Sequence, residues 1–543
     1  MPGGRQSERQ TVMQEDNEKD ALTGMREDVR SEVTEQTKEE NKEEKKDGQK
    51  AETKGKKIAR IIFLVLGNAV IIAGVWQAIL FNGVSVAGMI FQLMVPMEGA
   101  DGGNFVSLNI AMAVGLPVMT VLEVLFGNWW RRKTTKLSFF RKRKVLCAGL
   151  WFALAAVVVL ARMNVFSYLW LMIHPSTIYE ENCVAVDFDN IKAPEKKRNL
   201  IYIFMESMEI TYADRDNGGL ADRNRIPYLT EISKTFGDSF SADGKLNGLE
   251  PVEGAVWTCG SLVSQTSGVP LLLPIDGNSM GNGYKEFLPG AVTIGEVLDH
   301  FGYQQVYLQG SKIEFAGTDL YLKSHGNYEI RDYNYYNRNH KLPTEDYFVW
   351  WGFEDFRLYE FAKEEITRLS MNDAPFAVTM MTIDTHFTGG YTCPLCEKKF
   401  NNSYDNAIYC ADCQLRDFFA WIASQDFYDN TTVVVVGDHP TMDSMYYREL
   451  SKGKDDYQRK AYAVVLNSAI PYTLGKTRDY SAFDMFPTTL AAMGFEIKGN
   501  RLGLGVNLYS EEQTLVEKYG LKKLNKELLK HSKYYDKHII GGK

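Results

Sequence analysis

An acid and an imidazole stand side by side at Asp438-His439, directly after the uncharged run Thr431-Thr-Val-Val-Val-Val436 and Gly437, and just before Pro440. Four consecutive valines suit a central strand covered on both faces, as in parallel sheets, where ligands gather beyond the carboxyl ends of the strands. Side chains alternate faces along a strand, so neighbouring Asp and His can serve one site only at a turn. Gly437 and Pro440 bracket such a turn. The pair offers oxygen and nitrogen donors to a divalent cation, or an acid and a base to a reaction. Taken alone, it reads equally well as a strand cap beside a surface histidine.

The pattern recurs. Asn199-Leu-Ile-Tyr-Ile-Phe-Met205 runs into Glu206-Ser207, and Pro375-Phe-Ala-Val-Thr-Met-Met-Thr-Ile383 runs into Asp384-Thr-His386. Between residues 254 and 268 lies a stretch of small and hydroxyl-bearing residues. Thr258, ahead of a small-residue helical turn, can present its hydroxyl and nearby backbone N–H groups to an anion, because helix starts carry unpaired donors and a positive dipole end. The same hydroxyls can simply cap and turn the chain.

These residues need a frame to bring them together. Helical patterns at Ala291 to Phe301, Leu358 to Leu369 and Asp412 to Ser424 alternate with the strands, which predicts an α/β domain with a mostly parallel sheet and flanking helices over 199–515. Strands that run parallel end on one side, so the acid and histidine residues at their ends should share one crevice.

The chain has 543 residues, of which 45% are hydrophobic, enough for several domains and a sizeable core. Residues 1–57 are dense in Glu, Lys, Gln, Asp and Thr and read as a disordered cytoplasmic tail, because so little apolar surface cannot offset the entropy of ordering. The formal net charge of −8, with mixed signs along the tail, gives no case for nucleic-acid binding. Residues 58–173 read as a transmembrane domain of about three spans, at Ile61 to Phe81, Phe105 to Phe126 and Val145 to Leu160, the last extending weakly to Ile173. The first apolar run begins too far from Met1, and is too long, for a cleaved signal peptide. Lys54, Lys56, Lys57 and Arg60 precede the first span, and a basic loop at 129–144 separates the second from the third. Both flanks are expected in the cytoplasm, which puts everything beyond about residue 174 outside it. The apolar piece Val84 to Met97 would lie in the outer interface or add a fourth element. Residues 174–198 read as a linker, and 516–543 as a basic amphipathic tail suited to a solvated helix or to anionic head groups.

Seven cysteines are present, an odd number. Cys393-Pro-Leu-Cys396 and Cys410-Ala-Asp-Cys413 form two C-x-x-C pairs, a spacing that suits structural zinc, while an extracytoplasmic location suits disulfides equally well. Cys410 and Cys413 should share one helix face. Cys259 reads as a small buried residue, and Cys147 falls within a membrane span.

Taken as a set, these segments resemble the bacterial membrane-anchored phosphoglycerol transferases and lipoteichoic acid synthases of the alkaline phosphatase and sulfatase superfamily. The likeness rests on Asn199 to Ser207, Trp257-Thr258 with Gly260, Ser264-Gln265, Gly268-Val-Pro270, Tyr307-Leu-Gln-Gly310, Glu314-Phe-Ala-Gly317, Asp384-Thr-His386, Gly437-Asp-His-Pro440 and Asp484-Met-Phe-Pro-Thr488. The surroundings of Thr258 and Gln309-Gly310 lean towards the glucan-modifying branch. The resemblance implies an alkaline-phosphatase-like fold. It implies further that Glu206, Thr258, Asp438 and His439 hold one divalent cation, commonly manganese in the lipoteichoic branch. The mixed oxygen and nitrogen set itself admits manganese or zinc. Thr258 would be the nucleophile, and His386 would bind the phosphate or protonate the leaving oxygen. Asp384 would serve the turn. The family's substrate pocket makes Lys323, His325, Trp351 and Asp355 candidates for substrate binding.

The reaction so implied is transfer of phosphoglycerol from an anionic phospholipid, phosphatidylglycerol, to an extracytoplasmic glucan, glycolipid or teichoic polymer through a phospho-threonine, in a bacterial cell membrane. The competing readings are a phosphoethanolamine transferase, a sulfatase or phosphodiesterase, and a tethered binding protein with a decayed site. A sulfatase is disfavoured because Thr258-Cys-Gly-Ser-Leu262 lacks the C/S-x-P-x-R context of its nucleophile.

Overall fold

The computed structural model describes residues 53–80, 103–133, 143–163, 165–272, 287–454 and 456–541. The charged tail up to residue 52, the apolar piece 84–97 and the basic residues at 134–142 lie outside the described residues.

The chain divides into two compact units. The first contains α1 (Lys54–Leu80), α2 (Leu116–Lys133, continuing a shorter helix at Gly103–Ile110) and α3 (Lys144–Arg162). Among the described residues, three helical stretches, Lys54–Ile79, Val106–Trp129 and Lys144–Arg162, are long and apolar enough to cross a membrane. Their outward faces carry exposed Val118, Val121, Leu125, Leu154 and Val158, a pattern that water would penalise and lipid accommodates. α1 and α3 pack closely where Gly74 meets Val159: a Cβ added at Gly74 would lie 2.8 Å from Val159 Cγ2. Glu123, the acid within α2, accepts a hydrogen bond from Asn68 Nδ2 of α1 at 3.0 Å, and Thr120 Oγ1 accepts another at 3.2 Å. A short separate helix spans Val165–Ile173 and groups with the second unit.

The second unit is built on a sheet of nine strands among the described residues. In chain order these are β1 (Asn199–Met205), β2 (Gly237–Asp238), β3 (Gly248–Glu250), β4 (Gln304–Gln309), β5 (Glu329–Arg331), β6 (Phe376–Met381), β7 (Thr431–Gly437), β8 (Ala461–Leu466) and β9 (Tyr480–Ser481). Across the sheet they run β9-β3-β8-β7-β1-β6-β4-β5, with β2 paired to β8. β7, β1, β6, β4 and β5 are mutually parallel, whereas β8 lies antiparallel to β7. β1 and β7 are buried along their whole length, which is why both are uncharged and largely apolar.

Alternation along β1 and β7 feeds two hydrophobic layers. Tyr202, Phe204, Val434 and Val436 face one; Ile201, Ile203, Val433 and Val435 face the other. On the first side lies α4 (Thr258–Ser267), contributing Leu262 and Val263. On the second lie α5 (Asp355–Ser370) and α6 (Ser403–Ala423), contributing Leu358, Ile366, Ile408 and Leu415. The architecture is the expected mostly parallel sheet with helices on both faces. Its register aligns the ends that matter: Met205 pairs with Gly437, and Phe204 with Met381.

Two segments differ from their sequence-based assignment. Within the supposed linker, Ile178–Asn182 is a helix whose Tyr179 is fully buried, 5.2 Å from the ring of Tyr535. The C-terminal segment continues the core instead of standing apart as a tail: α7 (Leu521–Leu528) buries Leu524 and Leu528, and Tyr535 and Ile539 join the same layer. The fully buried Arg478 ties this end down through Glu517 at 2.7 Å and the carbonyls of Leu508 and Ser510. An amphipathic helix can bury its apolar stripe in protein as readily as in lipid, and here protein supplies the partner.

Candidate metal centre and active site

The ends of β1 and β7 are locked to each other before any ligand is considered. The chain turns sharply after Glu206, with Ser207 at φ +52°, a conformation that costs a non-glycine residue and persists only where its surroundings hold it. Ser207 N–H donates to Asp438 Oδ1 at 2.7 Å, and its hydroxyl donates to Glu206 Oε1 at 2.6 Å. Gly437 is required by close approach: a Cβ there would fall 1.7 Å from the Met208 carbonyl oxygen. From the end of β6, Thr382 Oγ1 accepts the Glu206 N–H at 3.0 Å and Thr385 Oγ1 donates to the Glu206 carbonyl at 2.5 Å. From α4, Ser261 Oγ donates to the Asp438 carbonyl at 2.5 Å.

This scaffold gathers Glu206, Asp438 and His439, all buried, with one ligand atom of each within 4.8 Å of the others. His439 Nε2 lies 3.3 Å from Asp438 Oδ2 and 3.7 Å from Glu206 Oε1. Thr258, the first residue of α4, brings Oγ1 to 3.3 Å from Glu206 Oε2 and 3.4 Å from His439 Nε2. His439 Nδ1 lies 3.0 Å from the Pro440 carbonyl; donating there leaves the Nε2 lone pair facing the cluster. Asp438 Oδ2 is buried without a hydrogen-bond partner. Burial, and then the neighbouring Glu206 charge, push Asp438 well above the usual carboxylate range. Burial would raise Glu206 too, but His386 and His439 hold it below its ordinary value. Two crowded carboxylates, one orphaned oxygen and an imidazole lone pair form a donor set that a divalent cation satisfies and that bare burial would penalise.

A cavity opens over Glu206 and Thr258 and is lined also by Gln309, Lys312, Trp351 and His386 among others. His386 Nδ1 lies 2.6 Å from the Phe387 carbonyl, and its ring is 4.6 Å from that of Trp351. Burial lowers its pKa, which favours neutral imidazole.

Of the residues assigned to substrate binding from the sequence, Trp351 reaches the cavity and three do not. Lys323 pairs with Asp319 at 2.8 Å on the surface. His325 is buried between Glu296 at 2.9 Å and the Phe287 carbonyl at 2.5 Å. Asp355 accepts the N–H groups of Ile383 at 2.8 Å and Asp384 at 2.9 Å, so it shapes the turn that carries His386. The cavity is also lined by Gln309, which the resemblance included without a role, and by Ser311 and Lys312, which directly follow the segment Tyr307 to Gly310 and were not singled out from the sequence. The sequence reading misses Glu209, fully buried, which accepts from Arg459 Nε at 2.9 Å and from the Thr441 N–H at 3.2 Å. That pair braces the turn after β1 against the turn after β7. No local spacing links residues 250 positions apart.

The cysteine expectation is corrected from four to three. Cys393 Sγ lies 3.6 Å from Cys396 Sγ and 3.8 Å from Cys410 Sγ, and all three sulfurs fall within 4.8 Å of one another. Cys413 is outside this group. At about 100° per residue, it sits about 60° round α6 from Cys410, whereas Gln414 sits about 40° to the other side. The cluster forms on the Gln414 side, with Gln414 Nε2 at 3.2 Å from Cys410 Sγ. Cys259 is buried behind Thr258, and burial pushes its thiol up to about 12.

The sulfatase family model matches residues 198–495, more than half of the chain. Phosphoglycerol transferase I of Salmonella paratyphi B is 31% identical over 268 residues, covering 48% of this chain and 33% of that protein. The protein of the same name from Salmonella choleraesuis is 29% identical over 324 residues, covering 58% and 40%. The chain thus spans between a third and two fifths of the length of these curated relatives. Among solved structures, a lipoteichoic acid synthase from Listeria monocytogenes is similar with a TM-score of 0.44 at 14% identity, over 61% of this chain and 81% of that one. An integral membrane lipooligosaccharide phosphoethanolamine transferase from Neisseria meningitidis gives 0.44 at 14% identity, over 82% and 85%.

Proposed function

The chain belongs to the sulfatase family, and we propose that it transfers the phosphoglycerol head group of phosphatidylglycerol to a hydroxyl of an extracytoplasmic glucan, glycolipid or teichoic polymer. The observation that carries this reading is Thr258 Oγ1 at the start of a buried helix, 3.3 Å from Glu206 and 3.4 Å from His439. The 31% identity to a phosphoglycerol transferase supports the choice of head group.

Glu206, Asp438, His439 and Thr258 would hold one divalent cation, for which manganese is favoured and zinc is compatible. When bound, that ion lowers the pKa of the threonine hydroxyl and neutralises charge on the phosphoryl oxygens. Thr258 Oγ, its proton released to solvent, attacks phosphorus, the bond to the diacylglycerol oxygen breaks, and a glycerophospho-threonine remains. The acceptor hydroxyl then displaces Thr258 in a second in-line step, and the threonine recovers its proton. His386 handles the other protons: charged, it protonates the departing diacylglycerol oxygen; neutral, the form that burial favours, it takes the proton of the incoming hydroxyl. Trp351 orients the His386 ring. The α4 amides at Thr258, Cys259 and Gly260, which precede the first intrahelical bond from Ser261 N–H to the Trp257 carbonyl, are oriented to favour phosphoryl oxygens.

The apolar helices would hold the catalytic unit on the outer face of a bacterial membrane, with Lys54, Lys56, Lys57 and Arg60 on the cytoplasmic side. Tethering of this kind keeps the site among its lipid donors at high effective concentration. The test is transfer from head-group-labelled phosphatidylglycerol in vesicles by the full chain. The wild type should release diacylglycerol and label a glycan acceptor, and Thr258→Ala should do neither. Full activity in Thr258→Ala would overturn the assignment, and label transferred from phosphatidylethanolamine instead would establish the phosphoethanolamine reading.

A further inference from the structure

The sulfur cluster is separate from the chemistry just described, and it lies on the loop that leaves His386. We propose that Cys393, Cys396 and Cys410 bind a zinc ion, distinct from the cation of the threonine site, which pins the loop 387–401 to α6.

The distances carry the argument. Zinc–thiolate bonds are about 2.3 Å, so two sulfurs on a tetrahedral zinc are about 3.8 Å apart. The observed separations from Cys393 are 3.6 Å to Cys396 and 3.8 Å to Cys410. Cys393-Pro-Leu-Cys396 forms a tight turn, closed by the Cys396 N–H bond to the Cys393 carbonyl at 3.0 Å, which directs both sulfurs to one side. Cys410 meets them from a rigid helix. A disulfide would pair two sulfurs and leave a third thiol in the same confined place; a metal uses all three.

Gln414 supplies a second, independent sign. Its Oε1 is buried without a hydrogen-bond partner, while its Nε2 stands 3.2 Å from Cys410 Sγ and 3.5 Å from Cys393 Sγ. Oxygen and nitrogen of a carboxamide are interchangeable in shape. Reversed, the side chain turns its orphaned oxygen into the sulfur cluster as a neutral fourth ligand. Binding needs no oxidant: three thiols release their protons to solvent as three zinc–sulfur bonds form.

The clamp has a place in the molecule. Gly390 N–H bonds to the His386 carbonyl at 3.1 Å, and Tyr404, in the first turn of α6, donates to the Thr385 carbonyl at 2.8 Å. Fixing residues 393–396 to α6 therefore braces from behind the turn that bears His386.

The experiment is metal analysis of the full chain purified in detergent, before and after a thiol-blocking mercurial. A zinc ion that survives mild chelation and is released by the mercurial is expected in the wild type. Cys396→Ser and Cys410→Ser should lose it, whereas Cys413→Ser and Asp438→Asn should keep it. Should the cysteine variants fail to fold, cobalt-substituted wild type provides the second measurement: a near-ultraviolet thiolate-to-cobalt band in wild type and in Cys413→Ser supports the site. Absence of that band, equal zinc loss in Cys413→Ser and Cys410→Ser, or an unreduced chain two hydrogens lighter with Cys393 joined to Cys396 would each overturn the proposal. None of these readouts depends on transfer activity, so failure here leaves the reading of the threonine site untouched.

Discussion

The protein carries two clusters able to hold a metal, and they are built in opposite ways. Around Thr258 the donors are oxygens and one imidazole, set at the ends of two adjacent buried strands whose register fixes them before a cation arrives. Around α6 the donors are sulfurs, two from a loop turn and one from a helix. The first is a preorganised, charged site under a cavity, with one carboxylate oxygen left unpaired. The second is compact, with its three sulfurs within 4.8 Å of one another. Hard and borderline donors on rigid strands suit a reacting cation; soft donors on a loop suit a clamp.

Thr258→Ala should separate the two most sharply: transfer should fall by about 10³-fold or more, the scale of losing a nucleophile, while the zinc at the sulfur cluster stays bound. Retention of activity would dissolve the distinction between a reacting and a bracing site. Asp438→Asn should come next, with loss of the oxygen-bound cation and at least the 10–100-fold fall that even outer-shell changes produce, and no change in zinc. Arg459→Met tests the brace behind the first cluster. It leaves Glu209 buried without its cation and should cost about 3–5 kcal/mol in denaturant unfolding of the detergent-solubilised chain.

Asp484 offers a milder probe away from both clusters. It accepts the N–H groups of Ser481 at 2.8 Å and Val506 at 2.9 Å, yet burial pushes its pKa up to about 7. The folded chain then holds a proton that the unfolded chain, with a pKa of about 3.9, has released. Stability should therefore fall as pH rises from about 4 to about 7, by roughly 4 kcal/mol at most, and Asp484→Asn should flatten that slope in thermal melts. A slope unchanged by the substitution would assign it to other groups. The smallest effect belongs to Lys323→Ala, which removes an exposed pair worth less than about 1 kcal/mol and should leave transfer rates at the wild-type level.

Much of this was legible in the chain. The uncharged, largely apolar runs at 199–205 and 431–436 announced buried parallel strands, and parallel strands end together, so Glu206, His386, Asp438 and His439 could be expected in one place. Lys323, His325 and Asp355 lie outside the lining of the cavity, because residue type and neighbourhood say nothing of which way a side chain points. One became a surface ion pair, one a buried hydrogen-bonded imidazole and one a turn brace. In the same way the amphipathic pattern at 521–528 specified an apolar stripe without naming what covers it.

By itself the sequence determined the local matters: strand and helix periodicity, membrane-spanning apolarity, the turn demanded at Gly437, and the chemical types available to a site. Only tertiary structure decided the pairings across long separations, among them Ser207 with Asp438, Arg459 with Glu209, and Cys393 with Cys410 and Gln414 rather than Cys413. The physical reason is that donor geometry at a few ångströms depends on register, helix azimuth and burial. Those emerge when the whole core packs, and no short window of sequence contains them.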